Sequence, residues 1–232
     1  MIDHERDLAS VQEATERLLS AVARLDDAAL GRPSRLPGWT RGHLLAHVAR
    51  NADALVNVLA GRPMYISAEA RDADIERDAR RPLDEQLADL RESADRVRRA
   101  GEAPADWERT VELRNGVTDR AARLPFRRLV EVEIHHVDLD VGYELEDLPA
   151  AFTEREISFL ADRFSGNPAV APARLLATGG GGGAGEWRTG GDQGAPVTVS
   201  GPAAELVGWL AGRRDGSGLE VTGGPLPSLP PL

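Results

Sequence analysis

Between Arg6 and Tyr143 apolar side chains return every three or four residues, the spacing that lines one face of an α-helix. Leu8, Val11, Leu18, Leu19, Val22 and Leu25 predict a first helix over 6–30, closed by Gly31 and Pro33. The segment LPGWTRGHLLAHVARNADALVNVLAG predicts a second: Pro37 and Gly38 punctuate its start, Thr40 can cap it, and the apolar stripe runs to Gly61. From Pro63 to Pro82 the chain reads as a loop opening into a short helix, and Leu83 to Arg99 predicts a third long one. After a loop holding Pro104, Trp107 and Gly116, Thr118 to about Tyr143 predicts a fourth, which Pro125 should kink or restart because it lacks an N–H. Four amphipathic helices predict a bundle.

The pattern changes after Leu148. Phe152 to Phe164 is still helical, but Arg174 to Thr178, Glu186 to Thr189, Pro196 to Ser200 and Leu219 to Thr222 are short, β-rich runs bounded by glycine or proline. One amphipathic helix, Ala203 to Arg213, interrupts them. The fold class is therefore α+β, with a helical domain over 1–148 and a small second domain over 149–232. Gly179 to Gly183 lack the lysine and following helix of a phosphate loop and read as a hairpin connection. The ending PLPSLPPL reads as a loose tail.

Composition narrows the function. The 232 residues are 41% hydrophobic, enough for a packed core without staples. A net charge of -10 argues against nucleic acid and against an anionic membrane surface, and no apolar run approaches the roughly 20 residues of a membrane span. A cytoplasmic protein acting on a small molecule, as a monomer, is expected. The chain has no cysteine, and with no lysine all 28 of its basic residues are arginine. Protein thiol nucleophiles, Schiff-base lysines, a Walker lysine and thiolate-held zinc are thereby excluded.

What chemistry remains centres on histidine. Glu131 and His135 are four residues apart, so on a helix they differ by about 40° and can meet one metal ion, whereas His136 lies about 140° from Glu131. On the second helix His43 and His47 share a face. His47 sits among Leu44, Leu45 and Val48, as a ligand in a bundle core should, while His43 at the helix start could face substrate or solvent. Two imidazoles and one carboxylate would leave a fourth tetrahedral position open, the arrangement of a catalytic zinc site. Asp138 or Asp140 could orient a ligand histidine, although solvated helix-end carboxylates are the simpler expectation.

Three motifs in order, PGWTRGHLLAHVARNADAL, PMYISAEAR and EVEIHHVDL, followed by VTVSGPAAELVGWLAGR, resemble the mycothiol-dependent maleylpyruvate isomerase family along essentially the whole chain. The resemblance implies a DinB-like four-helix bundle followed by a small α/β domain. It implies zinc ligation by His47, Glu131 and His135, with Arg71 and Arg213 as functional arginines; Arg213 and Arg214 are adjacent and could exchange roles. It further implies a cis-trans isomerase in which mycothiol, a low-molecular-weight thiol, adds reversibly to a dicarboxylate, maleylpyruvate, and releases fumarylpyruvate. A mycothiol S-transferase acting on another electrophile would use the same ligands. A noncatalytic zinc-binding regulator is a third reading, weakened by the missing cysteine.

Overall fold

The computed structural model describes residues 2–103, 105–179 and 185–231. The chain forms two compact units, Met1–Tyr143 and Glu144–Leu232. The first contains α1 (His4–Val22), α2 (Asp27–Leu30), α3 (Arg41–Leu59), α4 (Ala68–Asp78), α5 (Leu83–Glu102), the strands β1 (Thr110–Glu112) and β2 (Thr118–Arg120), and α6 (Leu124–Asp138). The four long helices close a ring: α1 packs on α5 and α6, and α3 packs on the same two. Their apolar faces meet in a core that buries Leu18, Leu44, Leu45, Leu90, Leu129 and Val132. This is the four-helix bundle the periodicity predicts.

Two helix boundaries differ from the sequence reading. The first helix stops at Val22 because Asp26 caps a separate turn, its carboxylate accepting from Ala29 N at 2.8 Å. The fourth starts only at Leu124, with Pro125 in its first turn, where a missing N–H costs nothing. Upstream, Thr118–Arg120 pairs antiparallel with Thr110–Glu112 as a hairpin. Its reversal places Asn115 and Gly116 at φ 61° and 71°, and Leu113 N donates to Val117 O at 2.7 Å. Asn-Gly is the residue pair that tolerates such a left-handed turn. The hairpin buries Val111 and Leu113 with Leu55 and Val58 of α3.

Helix α4 is fixed by close approach and by charge. A Cβ at Gly42 would stand 2.4 Å from Ala79 O, so the end of α4 can reach the start of α3 only because residue 42 has no side chain. The buried carboxylate of Asp78 meets Arg50 of α3, Arg77 and Arg81, and Arg50 continues to Asp89 of α5 at 2.5 Å. On the other side of α3, the fully buried Arg128 of α6 donates to Val48 O and Asn51 Oδ1, each at 2.8 Å. Burial pushes its guanidinium down to about 10, so it stays charged at neutral pH and pins α6 to α3.

The second unit contains α7 (Ala150–Phe164), β3 (Ala173–Ala177), β4 (Glu186–Thr189), β5 (Val197–Gly201), α8 (Ala203–Leu210) and β6 (Glu220–Thr222). Its sheet runs β4-β3-β5-β6, with β3 and β5 parallel and the outer pairs antiparallel. Helices α7 and α8 pack on each other and on the sheet, burying Ile157, Leu160, Leu206 and Val207 with Leu175 and Val199. Helix α8 ends three residues before the predicted Arg213, where Ala211 N and Gly212 N close its last turn. Within the glycine run read as a connection, residues 180–183 lie outside the described residues. The prolyl ending is anchored at its start, where Pro227 is buried and Leu226 lies with Trp209 beside Gly216, while Ser228, Pro230 and Pro231 are exposed.

Candidate metal centre

Helix α3 begins where the PGWT segment turns, with Ser34 N donating to Trp39 O and Thr40 capping the helix. That cap answers the choice between the two histidines of α3. His43 Nδ1 lies 2.7 Å from Thr40 Oγ1 and accepts from Thr40 N at 3.3 Å, while its Nε2 lies 2.9 Å from Glu76 of α4. Both its nitrogens are thus committed to closing the helix start and tethering α4. One turn deeper, His47 projects toward α6.

There the side chains of His47, Glu131 and His135 converge. His47 Nε2 lies 3.0 Å from Glu131 Oε2 and 3.1 Å from His135 Nε2, and His135 Nε2 lies 3.3 Å from Glu131 Oε2. Metal–ligand bonds of about 2.0–2.1 Å in a tetrahedron separate neighbouring donors by about 3.3 Å, so the three atoms fit one face of such a site. Among the described residues this is the cluster of His, Asp and Glu able to hold a metal ion. The imidazoles are nearly covered, and 31% of the Glu131 side chain is exposed although its carboxyl is enclosed by the two rings.

The electrostatics suit a cation. Burial would raise the Glu131 carboxyl, yet hydrogen bonds from His135 and His47 hold it well below the usual carboxylate range. Burial lowers His47 beyond what Glu131 restores, so its imidazole is neutral at physiological pH. For His135 burial opposes charge, but hydrogen bonds to Asp138 and Glu131 outweigh it and raise the ring. Asp138 Oδ2 accepts from His135 Nδ1 at 2.9 Å and is completely buried. This corrects the expectation of a solvated carboxylate; burial at a helix end is a tertiary outcome that spacing does not reveal. Asp140, by contrast, is exposed and pairs with Arg35.

Asp138 fixes the His135 tautomer that leaves Nε2 facing the cluster, the usual duty of a carboxylate behind a ligand histidine. Asp138→Asn is expected to weaken metal binding about 10- to 100-fold. Competition with a chelating dye measures it, and an unchanged affinity would show that Asp138 serves packing alone.

The remaining candidates fall out by position. Arg71, in the first turn of α4, turns inward with 12% of its side chain exposed: Nη2 stands 3.2 Å from His47 Nδ1 and Nη1 pairs with Asp72 at 2.6 Å. The guanidinium also lies 5.8 Å from the centre of the Tyr65 ring. Trp39 meets His47 edge-on at 5.4 Å. Tyr65 and Trp39 escaped sequence reasoning, although both stand in segments whose histidine or arginine was singled out. His136 faces away from the cluster and stacks on Tyr143 at 4.0 Å. In the second unit, Arg214 is neutralised by Glu205 and Glu146, whereas Arg213 Nη1 donates to Ala211 O at 2.7 Å.

A family model described as the mycothiol maleylpyruvate isomerase N-terminal domain matches residues 11–140, and the corresponding C-terminal domain model matches residues 147–231. Two solved structures are similar over 99% of this chain and 97% of theirs. One, of the mycothiol-dependent maleylpyruvate isomerase, is 28% identical with a TM-score of 0.87; the other, of a histidine-to-alanine mutant of a mycothiol-dependent maleylpyruvate isomerase, is 27% identical with a TM-score of 0.86. No curated protein matches the sequence. No helix among the described residues is long and apolar enough to cross a membrane.

Proposed function

The chain belongs to the mycothiol maleylpyruvate isomerase family, and from that premise we propose that it converts maleylpyruvate to fumarylpyruvate with zinc and mycothiol. The observation that carries the reading is the convergence of His47 Nε2, Glu131 Oε2 and His135 Nε2 within 3.0–3.3 Å, beside a guanidinium, in a chain without cysteine. The three side chains would hold the metal, which when bound supplies positive charge that lowers the pKa of an incoming thiol.

The electrophile presents a cis double bond conjugated to a carbonyl. Thiolate sulfur forms a bond to one alkene carbon, the π electrons move to the carbonyl as an enolate, and the former double bond rotates. Collapse of the enolate breaks the carbon–sulfur bond, returns the thiolate and leaves the trans alkene. Arg71 would hold the enolate oxygen or a substrate carboxylate in place of its contacts with His47 and Asp72, and its fixed charge needs no proton transfer. Arg213, adjacent to Arg214, is proposed as a second anion partner, as the resemblance implies. Tyr65 stays protonated as a donor, because burial, and then the charge of Glu131, raise its phenol above the usual value. Asp138 keeps the proton on His135 Nδ1. The proposed setting is the cytoplasm, which keeps small thiols reduced, and the proposed active form is the monomer.

The test is stoichiometry. With mycothiol far below maleylpyruvate, nuclear magnetic resonance of the products should show many trans product molecules per thiol and no carbon–sulfur adduct. One stable adduct per thiol would replace the isomerase with the S-transferase reading.

A further inference from the structure

The cavity beside Tyr65 is lined by more guanidinium than carboxylate. It has a volume of about 590 Å³, within the size range of small-ligand sites, and lies between the segment from Gly61 to Ala68 and the β1–β2 hairpin. Three arginines line it, Arg62, Arg109 and Arg114, against one carboxylate, Glu112. In a chain of net charge -10, a local excess of guanidinium is what an anion requires for binding.

The three arginines differ in what they already hold. Arg62 turns both donors onto Asn57 Oδ1, at 3.1 and 2.8 Å, and Arg109 donates to the carbonyls of Val58 and Leu59 at the end of α3. Arg114 has no hydrogen-bond or ion-pair partner among the described residues, and its charge is felt by Tyr65. Tyr65 in turn is shared between the cavity, which its side chain lines, and Arg71, which touches His47. Tyr65 thus stands between the cavity and the Arg71 guanidinium that touches His47.

The rim supplies a second, independent observation. The exposed large hydrophobics among the described residues are Ile66, 98% exposed, and Val117, 43% exposed. One sits on each of the two segments that flank the cavity, just outside the residues that line it. Ile66 directly precedes Ser67, the cap of α4, a position whose apolar side chain ordinarily packs back on the fourth residue of the helix. That residue is Arg71, turned toward His47, so nothing in the fold retains Ile66.

We propose that this cavity holds the carboxylate end of the electrophile farthest from the metal centre, with Arg114 as its recognising cation and Ile66 and Val117 closing over the carbon skeleton. The inference rests on the isomerase reading for the electrophile, but its anion chemistry can be tested apart from turnover. Arg114 and Ile66 are exposed, so Arg114→Ala and Ile66→Ser leave the core intact.

Isothermal titration with glutarate, a saturated dicarboxylate to which no thiol can add, is the direct probe on the zinc-loaded protein. Arg114→Ala should weaken glutarate binding about 10- to 100-fold, the value of a charge-assisted hydrogen bond pair, and Ile66→Ser should weaken it less. In turnover, the KM for maleylpyruvate should rise by a similar factor, with a much smaller change in kcat and none in zinc content. Loss of glutarate binding in Arg114→Ala supports the proposal even where maleylpyruvate is not turned over, which separates it from failure of the isomerase reading. Equal glutarate binding by wild type and Arg114→Ala, no glutarate binding by either, or a rise confined to the KM for mycothiol, would overturn it.

Discussion

Glutamine at position 131 will leave the protein folded and the metal centre empty. Glu131 is the single anionic donor of the three, and its Oε2 closes the triangle with His47 and His135 at 3.0 and 3.3 Å. Glutamine matches its size, so the packing of α6 against α3 persists, but a neutral amide neither offsets a divalent charge nor organises the two imidazoles. Metal chemistry of this kind is worth several kcal/mol at the reacting atoms, so kcat/KM for maleylpyruvate should fall by about a thousandfold or more. Elemental analysis after dialysis should find zinc in the wild type and little in the variant, with unchanged circular dichroism. A variant that keeps both zinc and turnover would remove Glu131 from the ligand set.

Arg71→Ala should separate metal binding from catalysis. The guanidinium touches His47 Nδ1 at 3.2 Å and can only donate, so in that contact Nδ1 accepts and Nε2 carries the ring proton toward Glu131. A metal held on Nε2 would require the proton at Nδ1 instead, which would remove the acceptor that Arg71 meets there. Removing Arg71 takes away a neighbouring positive charge, so zinc should be retained. On the proposed mechanism it also takes away a donor to the enolate, with an expected loss of about 10²- to 10³-fold in kcat. Arg71→Lys should recover a part, since a single ammonium cannot offer paired donors. Turnover that survives Arg71→Ala undiminished would return Arg71 to a structural role on α4.

Much of the architecture is legible because it depends on long stretches of one period. The four bundle helices, each of fifteen residues or more, declare an apolar face, and that face decides what they pack against. The β1–β2 hairpin is different: three-residue strands are too short for alternation to register, and its best signal, Asn115-Gly116, stands inside what reads as a loop. At the candidate centre, spacing puts Glu131 and His135 on one face of α6, but only the packing of α6 on α3 brings His47 to them. The cap made by His43, the burial of Asp138 and the inward turn of Arg71 are likewise products of tertiary contact. So is the arginine-lined cavity, whose two walls are separated in sequence by the whole of α4 and α5.

The most direct measurement follows maleylpyruvate by absorbance with metal-stripped protein as zinc and mycothiol are restored separately and then together. Conversion to fumarylpyruvate should require both, rise with zinc until one ion is bound per chain, and leave the mycothiol concentration unchanged. Undiminished conversion with either zinc or mycothiol left out would contradict the account.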